Sequence, residues 1–176
     1  MTVTPRIRKF VLTAHVASSV GWLGAVVAYL ALDIAAVTGQ NVQTVRAAFL
    51  AMELTALYAI VPLALASVLI GVINALVTPW GLFRHYWILM KLVLTVLATV
   101  ILLLETQRIS HMAGVAASGA DPRELPGSLL HSGGALLVLL VTTTLAIYKP
   151  PGMTRYGWRK HYERHEQRAP SSPSAG

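Results

Sequence analysis

Apolar residues run almost unbroken through four stretches, Phe10 to Val37, Ala47 to Val77, Tyr86 to Leu104 and Leu129 to Tyr148, and polar residues gather between them. Crossing a hydrocarbon core of about 30 Å takes roughly 20 helical residues. Each stretch is long enough to do so. Inside lipid the backbone must satisfy its own polar groups, which selects helix over any open sheet. The pattern therefore predicts an all-α fold, an integral membrane bundle of four transmembrane helices. Residues 1–150 form this domain (spans about 10–37, 47–77, 86–104 and 129–148), and 151–176 form a basic, largely disordered cytoplasmic tail.

The connections fit helices. Thr38 to Arg46 is a short loop in which Gly39 and Asn41 are helix-end residues. Thr78 to Arg84 is a tight turn with Pro79 and Gly81, and the third helix continues past Thr106 towards Val115. Pro62 falls inside the second span, where its missing N–H predicts a kink covered by neighbouring groups. Small residues at spacing four, Ala17, Gly21 and Ala25 on the first span and Ser67, Gly71 and Ala75 on the second, are expected to let helices approach closely.

Composition strengthens the membrane reading: 55% of residues are hydrophobic and 12% charged, against about 25% charged in a soluble domain. The first apolar stretch exceeds the roughly 7 to 15 residues of a signal-peptide core, so it reads as a retained helix. The net charge of +7 is placed asymmetrically. Arg6, Arg8, Lys9, Arg84, Lys149, Arg155, Arg159, Lys160, Arg164 and Arg168 fall on one side, and only Arg46, Arg108 and Arg123 on the other. Lys and Arg accumulate in cytoplasmic loops, so both termini are expected in the cytoplasm, with the protein in a cell membrane, the inner one in a bacterium. Charge that flanks spans is explained by insertion, and nucleic acid is not an expected partner. The basic stretch Arg155 to Arg168 would lie against anionic lipid headgroups. Trp80, Tyr86 and Trp87 form an interfacial aromatic cluster. The chain has no cysteine, hence neither disulfide nor thiolate ligand.

Ionisable residues inside spans are the best pointers to function, because each costs about 2.5 to 3.5 kcal/mol at a helix centre. By depth they form two layers. The inner one holds His15 and Lys91, with Asn74, Thr142, Thr143 and Thr144 at similar depth and His85 at its mouth. His15, Ser18 or Ser19 and Trp22 share one helical face, as do Lys91, Thr95 and Ala98. Facing each other, these stripes would put an imidazole and an ammonium in a cleft lined by Trp22. Imidazole ligates haem iron or copper. Equally, Lys91 is close enough to the surface to snorkel into the headgroups. The outer layer holds Asp33, Glu53, Glu105 and His131, with His111 just beyond. Glu53, His111 and His131 are the candidate metal ligands there, and Glu105 can pair with Arg108 at i, i+3. His161 and His165 lie at a chelating spacing in the tail, without a third ligand.

Three stretches, HVASSVGWLGAVVAYLAL from His15, WGLFRHYWILMKLVLTVLATVILLL from Trp80 and HSGGALLVLLVTTTLAIYKPPGMTRYG from His131, resemble a family of uncharacterised four-helix bacterial membrane proteins. More loosely, His15 followed by Trp22 and Gly24, then Lys91 in the third span, is similar to membrane oxidoreductases of the protoporphyrinogen oxidase type and to the membrane component of copper-resistance systems. That likeness implies b haem as cofactor, with His15 and Lys91 in the functional site; by their place in the layers, Trp22, His85 and His131 join them as cofactor-binding candidates. The oxidase type carries an Asn-Glu-x-Pro-like stretch where this chain reads Asp121-Pro122-Arg123-Glu124-Leu125-Pro126, so the oxidase activity is not implied. Three functions are expected candidates: a redox protein holding b haem or a metal, a small-solute or cation (copper-like) carrier or accessory using Glu53 and His131, and a non-catalytic subunit of a membrane complex. The small-residue stripes also suit a homo-oligomer.

Overall fold

A computed structural model describes residues 4–76 and 82–159, and the backbone alone at Val77. The helices are α1 (Pro5–Thr38), α2 (Val42–Thr55), α3 (Val61–Val77), α4 (Tyr86–Ala117) and α5 (Leu129–Tyr148). A π-helical turn, Ala56–Ile60, joins α2 to α3 without a break, so the chain forms four long apolar rods, each able to cross a membrane. The fold is an all-helical four-rod bundle, and the protein is a multi-pass membrane protein. Trp80, Pro79, Gly81, His161 and His165 lie outside the described residues.

The bulge has a local cause. Pro62 offers no N–H to the carbonyl four residues earlier, and the Val61 N–H bonds the Ala56 carbonyl, five residues back. One widened turn absorbs the lost bond, which is a recognised use of π-bulges.

Each rod turns one stripe inward. On α1 the buried residues are Ser18, Trp22, Val26, Tyr29, Asp33 and Ala36, at spacings of three or four. The contact between α1 and α3 joins Ser19 to Ser67 by a 2.8 Å hydrogen bond and sets Gly21 beside Leu63. Ala17 is exposed, so the small-residue stripe is only partly used in this interface. Outward-facing Val, Leu and Ile residues form the lipid belt. On α4 it runs from Tyr86 to Leu104 and stops at Glu105, about 28 Å at 1.5 Å per residue.

The two ends of the bundle are built differently. At the loop end, α1, α2 and α4 overrun α5, whose 20 residues span about 30 Å. The surplus helix packs as a small closed layer around Val45, Phe49, Met52, Met112 and Ala116. Asn41 caps α2 by accepting from the Gln43 and Thr44 amides, and a 3-10 turn at Pro122–Glu124 closes the top. At the terminal end, where α1 begins, the chain after α5 folds back. Thr154 donates its amide to the Arg84 carbonyl at 2.9 Å and its hydroxyl to that of Phe83. The first residues after the last span are thus held against the turn before α4; residues 160–176 of the tail lie outside the described residues.

Candidate functional site

The sequence assigned polar side chains to two layers, and the structure treats those layers unequally. At the terminal end, the His15 ring hydrogen-bonds the Ser67 backbone and sits on Gly71, where a Cβ would lie 2.8 Å from its Cε1. Among the described residues its Nδ1 is buried without a hydrogen-bond partner, as is Oδ1 of Asn74. Lys91 is near enough to act electrostatically on His15 and places its Nζ 6.0 Å above the Trp87 ring, a cation–π contact. The Trp87 ring also meets that of His85 edge-on, with centroids 6.3 Å apart. Trp22 is in the apolar core rather than in a polar cleft. Thr95, Thr142, Thr143 and Thr144 donate to carbonyls of their own helices.

A haem needs an open slot with an imidazole aimed at its centre. His15 lies flat against the α3 backbone at Gly71 instead, and His131 lines a cavity at the other end of the bundle. The five cofactor candidates are therefore split between the two ends, and the residues present do not fit the macrocycle. Nor does a metal cluster form: among the described residues no three His, Asp or Glu side chains converge. Glu53 is half-buried on α2, His111 is exposed on α4, and neither lines the cavity that takes in His131.

At the loop end one carboxylate organises two helices. Asp33, fully buried on α1, accepts from the Ser128 amide at 3.0 Å, the Ser128 hydroxyl at 2.9 Å and the Ser132 hydroxyl at 2.8 Å. Ser128 begins α5 without capping that helix by its own side chain. Asp33 therefore caps α5 from a different helix, satisfying an orphan amide and placing negative charge at the positive end of the helix dipole. The Tyr29 hydroxyl joins the group at 3.2 Å from Ser128 Oγ. Gly127 makes this approach feasible: a Cβ there would lie 2.3 Å from Val37 Cγ2.

Beside this network a cavity of about 270 Å³ opens between α4 and α5. Its walls are apolar: Ile60 from the π-helical turn, Ala98, Leu102 and Ile109 from α4, Ala135 and Val138 from α5. Its lateral mouth lies between Ile101 and Leu130, both exposed on the lipid-facing surface, and Leu130 is 85% exposed. The polar edge is Tyr29, Ser128, Ser132, Glu105 and His131. Glu105 stands 3.4 Å from His131 Nε2 and 3.8 Å from Arg108. Sequence reasoning missed Tyr29, Ser128 and Ser132. The usable signal was two i, i+4 pairs, Tyr29 with Asp33 and Ser128 with Ser132, at the loop ends of two spans.

No family model matches the chain, and no curated protein or solved structure is similar to it. The cleft is therefore read from its geometry alone.

Proposed function

We propose that this protein binds a lipid-soluble, amphipathic small molecule that enters the α4–α5 cleft sideways from the bilayer. The supporting observation is an apolar cavity with a mouth at the lipid belt and a few convergent polar groups at one edge, the usual build of a small-molecule site. At about 270 Å³ it suits one compact ring system and not a macrocycle. Among the expected functions this is closest to the small-solute carrier or accessory, with His131 at the site and Glu53 outside it. The asymmetry of Lys and Arg favours a bacterial inner membrane with both termini in the cytoplasm, the terminal end facing anionic headgroups.

Calorimetric titration of 1-naphthylmethanol into the protein in lipid nanodiscs tests this reading. A Cβ at Gly134 meets nothing within 4 Å, so Gly134→Leu fills the cleft without displacing backbone. Saturable binding to the wild type, lost in Gly134→Leu, is the expected result. Non-saturable partitioning, identical in both proteins, would overturn the proposal.

A further inference from the structure

The cleft presents its polar edge almost entirely as hydrogen-bond acceptors, and Asp33 is the reason. Its carboxylate takes the Ser128 hydroxyl proton and the Ser132 hydroxyl proton. With its own proton committed, Ser128 Oγ can only accept from Tyr29, so the Tyr29 hydroxyl is the donor across their 3.2 Å contact. What remains for a ligand is lone pairs, on Tyr29 Oη and Ser132 Oγ, together with the Glu105 carboxylate.

Glu105 is incompletely served. Its side chain is 23% exposed, and its neighbours His131 and Arg108 stand at 3.4 and 3.8 Å, beyond ordinary hydrogen-bond length. It makes no hydrogen bond among the described residues. The Tyr29 hydroxyl also lies within the field of Asp33, Glu105 and Arg108. The one guanidinium near Glu105 is that of Arg108, which is 42% exposed. An acceptor ligand such as a carbonyl compound would find one donor here, a ring N–H of His131. A ligand that donates and carries positive charge meets an unfilled acceptor set inside apolar walls.

Resting on the cleft reading above, we infer that the ligand is a lipophilic ammonium, an apolar body bearing a protonated amine. Its N–H groups bond Glu105 and the Tyr29 oxygen, and its body occupies the space beside Ala98, Ala135 and Gly134. The ammonium sits beside Glu105 and replaces that carboxylate's long contacts with a short charge-assisted hydrogen bond.

The test compares three probes of one shape in nanodiscs at neutral pH: 1-naphthylmethylamine, 1-naphthylmethanol and 1-naphthoate. Each is corrected for partitioning into protein-free discs. The amine is expected to bind the wild type about tenfold or more tightly than the alcohol, and Glu105→Gln should bring that ratio near unity. Equal affinities for amine and alcohol, a preference for naphthoate, or a ratio untouched by Glu105→Gln overturns the inference and leaves the cleft reading standing. If no probe binds the wild type saturably, the cleft reading itself fails, and this inference with it. Should Glu105→Gln bind neither probe, Arg108→Gln decides: removing the competing guanidinium must widen the amine preference, and an unchanged or narrower ratio overturns the proposal.

Discussion

The loop end and the terminal end of this bundle bury similar numbers of polar side chains but handle them in opposite ways. Asp33 at the loop end is fully buried and accepts three hydrogen bonds from α5. His15 and Asn74 at the terminal end each bury an atom with no hydrogen-bond partner among the described residues. The loop end is a network that ties two helices together. At the terminal end the polar ties between helices are single ones, from His15 and Ser19 of α1 to Ser67 of α3, and the threonines are satisfied by their own helices. A polar residue inside a span is therefore informative chiefly through who satisfies it. Where the partners come from another helix, the residue positions that helix and shapes the space beside it.

The largest expected effect is at Asp33. Replacing it with Ala leaves the Ser128 amide and two hydroxyls buried without an acceptor, and should destabilise by about 3 to 5 kcal/mol. Asp33→Asn keeps the shape but loses acceptor strength, for about 1 to 3 kcal/mol. Both are read from steric-trap or denaturant unfolding in bicelles, and an Ala variant as stable as wild type would abolish the contrast between the ends. Next come two glycines. Gly71→Ala drives a methyl into the His15 ring and should destabilise by about 1 to 3 kcal/mol. Gly134→Ala enters open space and should change stability by less than about 0.5 kcal/mol. The same unfolding assay ranks them, and a reversed order would mean that the packing at the two ends has been misjudged.

At the terminal end, Asn74→Leu removes an unpaired buried acceptor and is expected to be neutral or to stabilise by up to about 1 kcal/mol. A marked loss would show that Asn74 holds a partner after all. The smallest effect lies in the loop above the cleft. Hydrogen bonds from the Arg123 side chain and amide hold the Asp121 carboxyl down from 3.8 to about 2. Since the folded value is depressed, the support this carboxylate gives its turn is complete above the ordinary value and is lost as pH falls through about 2. Protection of the Arg123 amide, which donates to Asp121 Oδ1 at 3.0 Å, should persist at pH 4 and vanish in strong acid. Asp121→Asn should lower it at every pH.

The rods themselves were legible because lipid imposes a length and a composition that a single sequence displays. Gly39 and Asn41 were legible as helix ends because capping is local, and Asn41 bonds residues two and three positions away. The role of Asp33 was not, because its partners lie 95 and 99 residues further on. Depth alone put it in one layer with Glu53 and Glu105, whereas its lone pairs are filled by α5. The inward stripe of Lys91, Thr95 and Ala98 was read from spacing. What spacing could not supply is that Ala98 reaches the cleft while Lys91 lies over Trp87. The cleft was also hidden, since it arises where small residues of α4 and α5 face each other and the bulge before Pro62 turns Ile60 towards them.

The most direct test of the central claim, that the loop end holds the binding site, is a map of covalent labelling. A naphthyl diazirine photoprobe is activated in nanodiscs containing the full chain, and the modified peptides are identified by mass spectrometry. Labels concentrated on residues 98–109 and 128–138, and suppressed by excess 1-naphthylmethanol, are the predicted result. Labels spread evenly over the lipid-facing belt, or gathered around His15 and Lys91, would contradict it.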